Sequence, residues 1–310
     1  MPTLARMSKA PKRSVTSRLS LPSKPRSRSA GGSGTSPGGE SRRRSGLTAS
    51  TADRHRLYEL SVQDTEAEID FVDEQFRVLQ GRKAVKLRED FCGTANTCCE
   101  WVRRRRNTLA VGLDLDQPTM DWGIKNHVSK LKPAQAKRIR LLQRNVLTPG
   151  SEGSGMDIVL AMNFSYFTFN TRAMMREYFE AVRRSLVKDG IFFMDFVGGW
   201  ECQKKHREVR PLKGFTYVWQ QGSFDPITHD IQCSISFRFP DGSGLRKAFT
   251  YVWRLWSLPE IRELLSEAGF KKVTVYWEGD DGKGGGDGVF TPAEHGEECA
   301  SFLCYIAAEK

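Results

Sequence analysis

Residues 87–101 read "LREDFCGTANTCCEW", and the fold turns on them. The apolar run at 85–87 leads into two acids, Glu89 and Asp90, then a tight Phe91-Cys92-Gly93-Thr94-Ala95, then a stretch from Asn96 to Arg103 of helical character. A strand that ends in acid and passes through one glycine into a helix N-terminus brings backbone N–H groups to the C-terminal end of a sheet. Doubly wound folds hold nucleotides in that way.

Outward from this turn the pattern is that of an α/β protein. Upstream, residues 53–79 place Leu57, Leu60, Ile69, Phe71, Val72, Phe76 and Leu79 at near-helical spacing, with Asp64-Thr65 as an internal cap, which predicts two helices before the first strand. Downstream, strands are expected near 84–89, 109–114, 138–144, 156–162 and 190–196, with helices near 96–105, 117–129 and 171–187. This alternation predicts a doubly wound, mainly parallel sheet covered on both faces. Residues 214–256 change character: three segments rich in β-branched and aromatic residues, separated by turn signals, predict an antiparallel insert of about three strands, bounded at about 200–256. "SLPEIRELLSEAGF" then predicts a helix with Ser257 as N-cap, Glu260 completing a capping box and Gly269 as the stop. Two further strands follow, joined by a long acidic, Gly-rich loop.

The chain has 310 residues and a formal charge of +11. Its first 50 residues hold 11 Lys or Arg against a single acid, Glu40, leaving 37 basic and 36 acidic side chains in the rest. The body is therefore close to neutral, and its net charge gives no reason to expect nucleic-acid binding. The segment 1–51 is Ser- and Arg-rich and poor in apolar residues, so a disordered tail is expected, with 52–310 as the folded domain. Such a tail is compatible with a plain flexible segment, an organelle transit peptide, or a nuclear-import or polyanion-binding patch. With no apolar run of membrane-spanning length and no signal-peptide core, an intracellular, cytoplasmic protein is expected, organellar and nuclear locations staying open. Seven cysteines without a C-x-x-C spacing and five scattered histidines suggest reduced thiols and no metal site.

On these residues the chain resembles the class I, Rossmann-like S-adenosylmethionine-dependent methyltransferases. Glu89-x-Phe91-x-Gly93-x-Ala95 stands where that family carries acid-x-Gly-x-Gly-x-Gly; only the middle glycine is kept. "VGLDLD" ends a second strand in Asp114, the family's position for an acid that accepts from the ribose hydroxyls, with Asp116 two residues on. Asn145 and Val146 fall where the family contacts adenine. "MDIVLAMNFSYF" delivers Met162, Asn163 and Phe164 to the methyl-donor side. The resemblance covers 53–310 and implies a seven-stranded sheet closed by a reversed C-terminal hairpin, S-adenosyl-L-methionine as cofactor, and methyl transfer to N or O of an acceptor.

The acceptor is expected to be a small molecule, because the Asn/Asp-Pro-Pro-aromatic tetrapeptide of base-methylating members is replaced by Asn163-Phe164-Ser165-Tyr166, and small-molecule members often carry an antiparallel insert. Tyr166 and His206 are the catalytic candidates, and Tyr58, Asn163 and Trp200 the acceptor-binding ones; His206 also reads as part of a solvated basic segment, and Tyr166 as core. Trp219, Trp253 and Trp256 read either as the insert's own core or as an aromatic cage for a cationic acceptor. Cys92 is read as packing. Three alternatives stay open: a macromolecule methyltransferase recruited through the basic tail, a non-catalytic binding protein of the same fold, and, disfavoured by the glycine spacing, a nicotinamide-dependent oxidoreductase.

Overall fold

The structure, a computed structural model, describes residues 46–282 and 285–310. Most of the basic tail therefore lies outside the described residues. Its last few residues do not: Thr48–Ala52 form a hydrogen-bonded turn, and the Ala49 N–H donates to Ser243 Oγ at 2.9 Å, so ordered chain begins earlier than the composition suggests.

Two helices precede the sheet. In α1 (Arg54–Val62) the Asp53 carboxylate accepts from the His55 and Arg56 N–H groups, and in α2 (Thr65–Gln80) Asp64 accepts from Ala67 N–H. Each satisfies donors that the first helical turn leaves without a partner. α2 ends at Gly81, left-handed at φ 65°, and turns Ile69, Val72 and Phe76 into the core.

The central sheet is built from β1 (Lys86–Asp90), β2 (Leu109–Asp114), β3 (Ile139–Gln143), β4 (Met156–Ala161) and β5 (Leu186–Gly198), all parallel, interleaved with α3 (Asn96–Arg104), α4 (Gln117–Asn126), the short α5 (Pro133–Ala136) and α6 (Arg172–Ser185). An insert of β6 (His206–Leu212), β7 (Phe215–Phe224), β8 (Asp230–Arg238) and β9 (Gly244–Arg254) follows. The chain returns through α7 (Leu258–Glu267) to β10 (Lys272–Asp280), β11 (Gly286–Pro292) and β12 (Phe302–Glu309). The sheet order is β11-β10-β12-β5-β4-β1-β2-β3, with β12 antiparallel to both β5 and β10. The seven expected strands and the reversed hairpin are present, and β11 extends the edge by one. That strand sits inside the expected acidic loop, where Phe290 packs on Tyr305 with ring centroids 4.4 Å apart. Two apolar side chains, Val289 and Phe290, are too weak a signal within so much Gly and Asp to mark a strand beforehand.

β4 is buried along its whole length, as a strand covered on both faces must be. One core lies under α6 and α7 and the other under α2 and α3. The insert has four strands where three were expected. β6, "HREVRPL", pairs antiparallel with β7 but alternates polar and charged residues, so it lacks the apolar signature of its neighbours. A third apolar cluster joins the insert to Leu57 of α1. No helix among the described residues is long and apolar enough to cross a membrane.

Candidate functional site

The turn after β1 is the tightest part of the site. Phe91, Gly93 and Ala95 have φ of 58°, 49° and 56°, all left-handed. Glycine is favoured at such positions, and a side chain there costs roughly 1 kcal/mol. Phe91 and Ala95 direct their side chains inward: the Phe91 ring packs on Tyr178 and Phe169, at 5.8 and 6.1 Å, and Ala95 is fully buried. The missing glycines thus leave the outer face of the turn unfilled. A Cβ built on Gly93 would meet nothing nearer than Thr119 Cγ2 at 3.8 Å, so that face can receive a ligand.

Asp114, at the end of β2, accepts from Gly93 N–H at 2.8 Å and from Asp116 N–H at 2.9 Å. Each carboxylate oxygen retains a lone pair for a further donor. Asp116 is committed to α4 as its N-cap, accepting from the Thr119 N–H and hydroxyl. Asn145 is exposed and closes a local turn by accepting from Leu147 N–H, with Val146 buried beside it.

Three nearly buried carboxylates gather near this end of the sheet. Glu89 accepts from Cys98 N–H in the first turn of α3, yet burial pushes its carboxyl up to about 7. Asp195, on β5, accepts from the Asn163 and Phe164 N–H groups at 2.7 and 2.9 Å and is pushed by burial up to about 7. These bonds hold Asn163 and Phe164, both left-handed, in the turn that ends β4. Glu68, on α2, is pushed up to about 8 by burial and then by the charges of Asp195 and Glu89; its Oε2 is buried with no hydrogen-bond partner among the described residues. A cation placed among these groups would offset the cost of ionising them. Sequence reasoning found Glu89 but missed Glu68 and Asp195. The available signal for Glu68 was its spacing: it stands four residues before Val72 and eight before Phe76, on the core-facing stripe.

α1 is fastened over the turn. Glu59, buried, accepts from Thr94 Oγ1 at 2.9 Å and lies 2.5 Å from His127 Nε2. Burial pushes its carboxyl up, but His127, Thr94 and Arg56 outweigh that and hold it below the usual range. Trp122 Nε1 donates to Asp53 at 2.5 Å, adding a second tie to α4. α1 is therefore held over the Gly93 turn by charged hydrogen bonds, none of which was legible in the sequence.

Tyr58, on the same helix, lines a cavity of ≈ 1370 Å³, counting its open mouth, between the insert and the ends of β4, β5, β10 and β12. Asn163 and Phe164 line it as well. The other sequence candidates fare differently. Tyr166 is fully buried and its hydroxyl donates to the Asp195 backbone oxygen at 2.6 Å, so it is a core residue and not a catalytic one. Trp200 is 46% exposed and lies outside the cavity lining. His206 begins β6 opposite Gln221 and is also absent from the lining; two residues on, along the same strand face, Glu208 takes the place expected for it. Trp219 and Trp253 line the cavity, whereas Trp256 is core, its Nε1 donating to the Phe169 oxygen. Cys92 is buried, and burial pushes its thiol well up, which leaves it packing and not nucleophilic. Met162 is buried at the end of β4.

No protein-family model matches the chain, and no curated protein matches its sequence. Solved structures do match its fold. An S-adenosylmethionine-dependent methyltransferase from Clostridium acetobutylicum superposes with a TM-score of 0.61 at 16% identity, covering 82% of this chain and 96% of that one. DesVI of Streptomyces venezuelae gives 0.58 at 14%, covering 82% and 95%. An amino pentose methyltransferase from Micromonospora echinaspora, solved with its S-adenosylmethionine bound, gives 0.56 at 15%, covering 83% and 96%. The fold is that of the class I methyltransferases. Within that methyltransferase fold, the β4 turn at 163–164 is flanked by β1 on one side and β5 on the other, so it separates the Gly93–Asp114 end of the sheet from the cavity under the insert.

Proposed function

We propose that this protein is an S-adenosylmethionine-dependent methyltransferase acting on N or O of a small molecule. The observation that carries the reading is the position of Asn163–Phe164: the turn lines the insert's cavity while standing beside the strand end that carries the Gly93 turn. Donor and acceptor would meet there. On the donor side, Gly93 offers an open backbone face, Asp114 a carboxylate for the ribose hydroxyls, and Asn145 and Val146 the adenine contacts. Glu68 and Glu89 would face the cationic amino-acid end, and the orphaned Glu68 oxygen supports a positively charged ligand at that place. S-adenosylmethionine supplies an electrophilic sulfonium methyl. The protein's part is to orient the two molecules and to keep water away, which α1 and the insert do by covering the site.

A small acceptor is favoured because the cavity is bounded on three sides, by α1, the insert and β10–β12, and the neighbours of this fold named above include an amino pentose methyltransferase. The non-catalytic alternative lost its motive when Phe91 and Ala95 proved to point into the core. Calorimetric titration of the full chain with S-adenosylhomocysteine and with NADH tests the reading. Micromolar binding of the first alone is expected; binding of NADH alone would overturn it.

A further inference from the structure

The described lining of the cavity under the insert carries a charge asymmetry that the nearly neutral body of the chain lacks. Among the described residues that line it are four carboxylates, Glu208, Glu278, Asp280 and Glu297, and no Lys or Arg. The body of the protein has basic and acidic side chains in nearly equal number, so this lining is not a sample of the surface. Its walls are aromatic: Trp219, Tyr251 and Trp253 form one cluster with centroids 4.7 to 6.1 Å apart. Ring faces and carboxylates share one property, attraction for a cation whose remaining surface is apolar.

Tyr217 adds an independent observation. It is fully buried, it lines the cavity, and its hydroxyl has no hydrogen-bond partner among the described residues. A buried hydroxyl left without a partner costs stability, and one that faces a cavity can be completed by a ligand there. Glu208 lies on the neighbouring strand, paired in register with Trp219, and accepts no hydrogen bond and forms no ion pair with a described residue. On the same strand face, Arg210 is turned over the Tyr217 ring at 4.8 Å and bonds the Ser61 oxygen, and His206 lies outside the cavity lining.

Resting on the methyltransferase reading, we propose that the acceptor is a cationic amine carried on an apolar or aromatic body, its nitrogen recognised by Glu208 and Tyr217 and its body by the Trp219–Tyr251–Trp253 wall. An ammonium ion has no lone pair to donate. The nitrogen must first give one proton to Glu208, which burial makes more basic than usual despite the opposing charges of Arg210 and His206. The nitrogen's lone pair then forms the new C–N bond, and the pair of the broken C–S bond stays on sulfur as a neutral thioether. The proton on Glu208 leaves through the open mouth.

Three probes of one shape and different charge test this on the full chain by calorimetry at pH 7: 2-phenylethylamine, 2-phenylethanol and phenylacetate. The amine should bind about tenfold more tightly than the alcohol, and phenylacetate should be the weakest. Glu208→Gln should remove most of that preference and leave binding of the alcohol unchanged. Tyr217→Phe, which deletes only the unpartnered hydroxyl and so keeps the fold, should weaken the amine a few-fold. Equal binding of amine and alcohol, or a preference untouched by Glu208→Gln, overturns the proposal. Titration of the same protein with S-adenosylhomocysteine separates the two readings: donor binding without amine preference sinks only the acceptor class, whereas amine preference without donor binding leaves the cation cavity standing and sinks the methyltransferase.

Discussion

Replacing Glu68 by Gln should make the ligand-free protein more stable at neutral pH. The ordinary carboxyl value of 4.5 applies in the unfolded chain, and burial raises it to about 8 in the folded protein. Below pH 4.5 the group is neutral in both states and costs nothing. As pH rises, the unfolded chain ionises first, so the folded state retains the extra proton and stability falls by about 1.4 kcal/mol per pH unit, levelling off above the folded value. At pH 7 the two values differ enough to cost about 3 kcal/mol. A neutral amide removes the titration, less a smaller penalty for burying the amide. Urea unfolding of both proteins at pH 5 and pH 7.5 reads the difference directly: the variant's advantage should grow by about 3 kcal/mol between the two. Glu89 and Asp195 titrate in both proteins, so their contribution largely cancels. A gap that does not change with pH, or a variant less stable at pH 7.5, would mean that a partner already compensates the Glu68 charge, and the account of the buried acids would fall. A group that costs stability at the place where the donor's charge is proposed to sit is the pattern expected of a functional residue.

The remaining predictions concern the proposed donor turn and the buried ion pair of the strand before it. Asp114→Ala should weaken S-adenosylhomocysteine binding at least about tenfold and also lower stability by about 1–2 kcal/mol, because the carboxylate accepts from Gly93 and Asp116 N–H groups; unchanged affinity by calorimetry would sink the ribose assignment. Gly93→Val places a branched side chain at φ 49° and into the open face, so donor binding should be lost and the melting temperature should fall. Arg88→Met leaves Asp90 buried without its ion pair, supported only by the Tyr178 hydroxyl, and should cost about 3–5 kcal/mol in urea unfolding; a cost below about 1 kcal/mol would show that Asp90 simply takes up a proton.

The order of strands and helices along the chain was legible from sequence because it depends on local, periodic signals. Whereas the roles proposed for Asp114 and Gly93 come from the family resemblance, the apolar runs of β4 and β5 mark buried strands within a few residues. The same holds for helix ends: Asp64, Ser257 and Gly269 act on neighbours in the chain, and they cap or stop their helices as expected. β6 was missed for the converse reason, since a strand that alternates charges shows its inward face only when a partner strand defines inward. Tyr166, Trp200 and His206 have suitable chemistry and stand close in sequence to strand ends. Whether a side chain at such a position enters a cleft or the core depends on the turn after the strand, and the left-handed pair Asn163–Phe164 sends Tyr166 inward.

The reversed hairpin was implied by the family resemblance; the sequence by itself determined the doubly wound sheet, the presence of an insert and the end of the sheet at which a nucleotide is expected. These follow from hydrophobic periodicity and turn chemistry, which act over short distances along the chain. Only the tertiary structure decided that Phe91 and Ala95 face the core, that Glu59 fastens α1 to Thr94 and His127, that Glu68 joins Glu89 and Asp195, and that Glu208 with Tyr217 lines the cavity. Each of these is a contact between residues distant in sequence. Burial and electrostatic environment are properties of the packed surroundings, and no single segment carries them.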